Sequence, residues 1–213
     1  PTSMKLRALA ILLLMGFFQA AQSQQLAQVR ENDKVGFINP AGEYVIEPQY
    51  IKAGNFSDGM AAVFQDDKWG FINTKGQWAV QPTYIKVKEY NTGYALVFDD
   101  ESWKYIDKEG AQLKTPFTDK YYDYEIGVAL YRNGEKIGLL GADGKPVLEP
   151  TYAVIKSFMN GHARVKNAEL WGMIDMTGKL IFPMDFTELG DYSSKGIWAG
   201  KGETKGVLID GEY

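Results

Sequence analysis

The chain has 213 residues, 45% of them hydrophobic and 14% aromatic, with 27 acidic against 23 basic side chains. That composition can bury a core and excludes a disordered chain, and its acidic balance excludes the basic surface that nucleic-acid phosphates attract. There are no cysteines, which excludes disulfides, thiolate metal sites and a thiol nucleophile.

The first element is a leader over residues 1–23. Lys5 and Arg7 follow Met4, Ala8 to Phe18 is an apolar run of 11 residues, and Ala21 and Ser23 suit the −3 and −1 positions of a cleavage site. This is the layout of a secretory signal peptide. A membrane span needs about 20 apolar residues, so no transmembrane anchor is expected after cleavage. With no cysteine after the run, a lipid anchor is not expected either, and Pro1 to Ser3 read as a remnant ahead of the start. Removing Lys5 and Arg7 leaves 21 basic against 27 acidic residues, a net charge of −6.

Residues 24–213 read as one domain built on a 34-residue lattice. Stepping by 34 from Gly70 reaches Gly36, Lys104, Gly138, Gly172 and Gly206. The residues before these are Val35, Trp69, Trp103, Ile137, Trp171 and Lys205. Further columns hold a second glycine (Gly42, Gly76, Gly110, Gly144, Gly178), a proline (Pro48, Pro82, Pro116, Pro150, with Pro183 one place early) and an aromatic (Phe56, Tyr90, Tyr124, Phe158, Tyr192). The period divides the chain into units 26–59, 60–93, 94–127, 128–161, 162–195 and a shortened 196–213.

Helical repeats can share this period, but each unit carries up to three glycines and a proline, which cost about 1 and about 3 kcal/mol in a helix interior. The short runs of Val, Ile, Phe and Tyr between turn residues are strand signals. In unit 60–93, strand A is Met60 to Phe64, strand B Trp69 to Asn73 and strand C Gln77 to Gln81, and Pro82 ends C by removing a ladder donor. The fold class is therefore all-β, each unit a three-stranded antiparallel meander with a connector. The units form either a propeller-like ring or an open β-solenoid.

Side chains alternate across strand B, so Trp69 and Phe71 share one face, Gly70 and Ile72 the other. A strand apolar or bare on both faces is covered on both. Gly70 is expected to admit the backbone or a ring of the adjacent repeat, and Trp69 to fill space between units. An exposed sugar-stacking row of Trp69, Trp103 and Trp171 is the rival reading. Val35, Ile137 and Lys205 in the same column argue against it, because aliphatic residues replace tryptophan in a core and not on a platform.

The stretch "DGMAAVFQDDKWGFINTKGQWAVQPTYIKVKEY" resembles the WG-containing repeat family: an alternating strand and a turn, then Lys-Trp-Gly-Phe-Ile, a Gly turn and a strand ending in Pro-x-Tyr. The resemblance covers residues 26–213. It departs most in unit 94–127, where Lys104 replaces the glycine and Thr118 the tyrosine of Pro-x-Tyr. It implies bacterial repeat proteins, many of them exported, that serve as binding or scaffolding modules, and it implies no catalytic residues.

Residue chemistry points the same way. His162 is the single histidine and has neither a metal-ligand pattern nor a catalytic partner pattern around it. Asp66, Asp67, Asp99, Asp100 and Glu101 cluster in A–B turns, where a solvated turn is favoured over a Ca²⁺ site. No catalytic residue, metal ligand or cofactor site is predicted. Function is expected where the lattice breaks: Lys104, Tyr121, Tyr122 and Tyr124, with Trp78 as an extra strand C aromatic. The function read from these residues is an exported, non-enzymatic scaffold for a protein or peptide in the periplasm or at the cell surface. A glycan-binding module is the alternative, and a hydrolase the third reading.

Overall fold

The computed structural model describes residues 25–208, so the leader predicted over 1–23 and the end of the last unit, 209–213, lie outside the described residues. Among the described residues there is no helix, and the strands form six antiparallel sheets. The first is β1 (Ala27–Glu31), β2 (Lys34–Ile38) and β3 (Tyr44–Tyr50). The second is β4 (Lys52–Ala53), β5 (Met60–Gln65), β6 (Lys68–Asn73) and β7 (Trp78–Tyr84). The third is β8 (Lys86–Val87), β9 (Ala95–Phe98) and β10 (Trp103–Ile106). The fourth is β11 (Lys120–Glu125), β12 (Val128–Asn133), β13 (Lys136–Leu140) and β14 (Pro146–Tyr152). The fifth is β15 (Val154–Ile155), β16 (His162–Asn167), β17 (Leu170–Asp175) and β18 (Leu180–Phe186). The sixth is β19 (Glu188–Leu189), β20 (Ile197–Lys201) and β21 (Thr204–Leu208).

The predicted three-stranded meander is complete in units 26–59, 60–93, 128–161 and 162–195, whereas unit 94–127 forms only strands A and B, and the connectors add to these sheets. The connector of each unit pairs with strand A of the next: β4 with β5, β8 with β9, β11 with β12, β15 with β16 and β19 with β20. Sheets are therefore offset from sequence units, and every sheet after the first borrows its opening strand from the preceding unit.

Turn chemistry explains the acidic clusters. Asn32–Asp33 and Asp66–Asp67 are two-residue hairpin turns with φ of 48°, 61°, 51° and 61°, and Asn and Asp tolerate that left-handed region better than other side chains. In the B–C turns Asn73 Oδ1 accepts the Lys75 and Gln77 amides at 3.0 and 3.1 Å. Asp107 Oδ1 does the same for Glu109 and Ala111 at 3.1 and 2.8 Å.

The core is five apolar clusters, and each lies between two consecutive sheets. Strand B is covered on both faces, as its sequence predicts: Phe71 belongs to the cluster between the second and third sheets, Ile72 to the one between the first and second, and both are 0% exposed. No cluster joins the first sheet to the sixth among the described residues. The connector aromatics cap these layers edge-on, with ring centroids 4.7 Å apart for both Phe37–Phe56 and Phe71–Tyr90.

The Trp-Gly pair has a different basis from the one its sequence suggests. Glycine makes room for strand C of its own unit, not for the neighbouring repeat. A Cβ on Gly36 would sit 2.5 Å from the Ile46 carbonyl oxygen and 2.6 Å from the Pro48 nitrogen. On Gly70 it would sit 2.6 Å from the Val80 oxygen and 2.7 Å from the Pro82 nitrogen. Gly138 and Gly172 face the Leu148 and Phe182 carbonyls in the same way. The register shifts here, between Trp69↔Tyr84 and Phe71↔Val80, and this bulge carries the strand C backbone across the face of strand B. Trp69 is partly buried beside the layer between the second and third sheets, its ring 5.3 Å from Phe64.

Candidate functional site

At Lys104 the glycine is gone, and strand C is gone with it. β10 ends its sheet without an outer partner strand. Its main-chain contacts with the segment that follows are the Ile106↔Gln112 bridge and the Leu113 amide donating to the Tyr105 carbonyl (2.9 Å). In complete sheets the column residue pairs with an aromatic: Val35↔Tyr50, Trp69↔Tyr84, Ile137↔Tyr152 and Trp171↔Phe186. Trp103 would pair with Thr118, but no ladder forms. The Thr118 hydroxyl instead accepts the Arg132 amide of the fourth sheet at 3.0 Å.

A cleft of about 590 Å³ opens between the third and fourth sheets, lined among others by Leu96, Trp103, Tyr121 and Tyr122. Lys88, Asp119, Lys120 and Asp123 add charges of both signs to its wall. Lys88 Nζ lies 4.0 Å from Asp123 Oδ2. Lys120 Nζ sits 4.9 Å from the centre of the Tyr122 ring. The Tyr105 hydroxyl donates to the Tyr122 carbonyl, fixing the strand that forms the wall. On the far side of Tyr122 and Asp123 a smaller pocket of about 260 Å³ reaches Leu130, Ile155 and Phe158.

The residues singled out in the sequence divide. Tyr121 and Tyr122 line the cleft. Tyr124 does not. At 2% exposure it is a core residue, its hydroxyl donates to the Gly141 carbonyl at 2.7 Å, and burial pushes its pKa up. Lys104 points away from the cleft and pairs with Asp99. That hydrogen bond raises the Lys104 pKa and, with the Ser102 amide, holds the Asp99 carboxyl down at about 2. Lys104 thus shapes the site by its Cβ and not by its charge. Trp78 lies elsewhere, packed on the layer between the first and second sheets with its ring 6.2 Å from Tyr50. His162 stacks on Tyr192 at 3.8 Å.

Sequence reasoning missed Lys88, Leu96, Lys120 and Asp123, because they occupy ordinary lattice positions and meet only between the third and fourth sheets. Trp198, half exposed beside Val207, also went unremarked.

The description "WG containing repeat" matches residues 36–69, 69–103, 137–171 and 171–200. The chain belongs to the WG-containing repeat family. The match stops at 103 and resumes at 137, so the interruption of the WG-containing repeats begins at Lys104 and contains β11. No curated protein matches the sequence. Among solved structures, a eukaryotic initiation factor is similar at 8% identity and TM-score 0.48, over 86% of this chain and 60% of that one. KlHsv2 with one loop replaced by a Gly-Ser linker is similar at 11% and 0.44, over 84% and 71%. A Bacteroides caccae protein of unknown function is similar at 13% and 0.30, over 83% and 82%. At these scores nothing about the activity of the WG-containing repeats follows from the likeness. Among the described residues no helix is long and apolar enough to cross a membrane.

Proposed function

We propose that this chain is an exported, non-enzymatic binding scaffold of the bacterial cell envelope, and that the cleft between the third and fourth sheets takes a protein or peptide partner. The observation that carries the reading is the coincidence of three things. The family pattern lapses at 104–136, the sheet loses a strand there, and an aromatic cleft with charges of both signs opens at the same place. Aromatic side chains with a polar rim are the composition of protein-recognition surfaces. Export rests on the leader pattern of residues 1–23. The non-enzymatic reading rests on the sequence, in which the single histidine, His162, has no catalytic partner pattern around it.

Affinity capture from envelope extracts tests the reading. A saturable partner is expected, and Tyr122→Ala is expected to weaken it about tenfold or more, the scale of an interface anchor. A partner retained equally by wild type and Tyr122→Ala would remove the cleft from the proposal. The glycan reading rests on the half-exposed Trp198. Glycan-array binding lost in Trp198→Ala and kept in Tyr122→Ala would replace the scaffold reading.

A further inference from the structure

Backbone alternation decides what the cleft can hold. In an antiparallel pair, successive residues direct their N–H and C=O groups to opposite edges. Phe98 and Leu96 of β9 accept the Ile85 and Lys88 amides on the β8 side at 2.9 and 2.8 Å, so Val97 bonds toward its partner Lys104. Tyr105 carries its carbonyl to the opposite, outer edge, where it accepts the Leu113 amide. By the same alternation Trp103 aims both its N–H and its C=O at that outer edge, where β10 has no strand beside it. The unpaired edge adjoins the aromatic cleft, because Trp103 is also a wall residue of the cleft.

We propose that β10 is an acceptor for an added β-strand: an extended peptide pairs with Trp103 and seats an aromatic side chain in the cleft. The rest of the chain specifies this occupant. Four sheets of this protein carry a strand at the equivalent position, and in each the residue opposite the Trp103 column is aromatic: Tyr50, Tyr84, Tyr152 and Phe186. All four are buried. Thr118, at that place in the third unit, is half-buried and held by the fourth sheet. An added strand supplies the missing aromatic against Leu96 and Trp103, with Tyr121 and Tyr122 on the other wall. The Cβ of Lys104 rejects a strand with the bulge of the internal strands, so the guest pairs without a bulge. Main-chain bonds at such an edge provide affinity, and the pocket for an alternate side chain provides selectivity. Lys88, Lys120, Asp119 and Asp123 around the opening let the flanks of the guest carry either charge, and charged side chains beside an open edge also disfavour indiscriminate strand pairing.

This inference rests on the scaffold reading and narrows it to a mode of binding. The test pans displayed random decapeptides against the full chain, then resynthesises a selected peptide with backbone N-methyl groups at successive positions. N-methylation at the position facing Trp103 is expected to weaken binding about tenfold, the worth of one buried main-chain hydrogen bond, while the neighbouring positions, which face away, tolerate it. Selected peptides are expected to share one aromatic, and Trp103→Val is expected to weaken them; Val35 fills the same column in the first unit, so this variant keeps the fold. Uniform tolerance of N-methylation overturns the strand pairing and leaves the scaffold reading standing, with a helical or folded partner. Recovery of no peptide alongside a captured protein partner sensitive to Tyr122→Ala also overturns the pairing alone. Loss of both peptide and protein binding overturns both.

Discussion

The second and third units have the same length, the same Trp column and the same kind of B–C turn, yet one closes its sheet and the other leaves it open. Unit 60–93 has Gly70 and Tyr84, and β7, which Pro82 does not end as expected, runs on to Tyr84 and pairs with β6 across a bulge. Unit 94–127 has Lys104 and Thr118, and its third strand is reduced to one bridge. In the Trp-Gly motif it is therefore the glycine that carries the architecture. Tryptophan is exchanged for Val35 and Ile137 without loss of a strand, because any apolar side chain can cover that position. Glycine cannot be exchanged, because a backbone passes where its Cβ would be.

The contrast can be broken or sharpened by substitution. The largest effect is expected for Phe71→Ala, which empties a 0% exposed site that the equivalent Tyr105 fills in the third unit. A loss of about 3–5 kcal/mol in urea unfolding is expected for such a truncation. Gly70→Val should turn the second unit into a likeness of the third. The clash with the Val80 carbonyl is expected to cost about 3 kcal/mol, with faster amide exchange along β7. Gly206→Ala is its control, since nothing lies within 4 Å of a Cβ there; a change of under about 1 kcal/mol is expected.

Ile126 offers a smaller gain. It is 55% exposed and holds φ at 45°, a region β-branched residues avoid. Asp58 and Thr92 occupy the same column, and their side chains accept the next unit's Gly93 and Gly127 amides at 2.6 and 3.0 Å. Ile126→Asn should relieve the strain and offer the same bond to Gly161, stabilising the chain by about 1–2 kcal/mol in thermal unfolding.

The smallest effect belongs to the Asp99–Lys104 pair. Asp99 has its folded pKa lowered to about 2. Its contribution is therefore fully present above the ordinary carboxylate pKa and disappears as pH falls through the folded value. The gap in melting temperature between wild type and Asp99→Asn should be widest above pH 4 and close as pH approaches 2. A gap unchanged over that window would deny the pair a role in holding the third sheet.

Much of the fold was legible because turns and periods are local. Asn73 with Gly76 marks a B–C turn from its own side chain and its own φ of 76°, and the alternation of Trp69, Gly70, Phe71 and Ile72 declares both covered faces. The place of the lattice break was legible too, since Lys104 and Thr118 depart from visible columns. The content of the site was not. Tyr124 stands in the aromatic column with Phe56 and Tyr90 and is a core residue, but nothing in the sequence says where the extra Tyr121 and Tyr122 go, and the shift between the Tyr121↔Tyr131 and Tyr124↔Ala129 pairs leaves them at the cleft.

By itself, then, the sequence determined an all-β array of WG-containing repeats, its turns and the one unit that differs, because these follow from residue period and turn stereochemistry. Tertiary structure alone decided which strand each connector joins, what the glycine admits and where the open edge lies. Those outcomes depend on backbones that are distant in sequence and meet within a few ångströms, and no local pattern records which of them will meet.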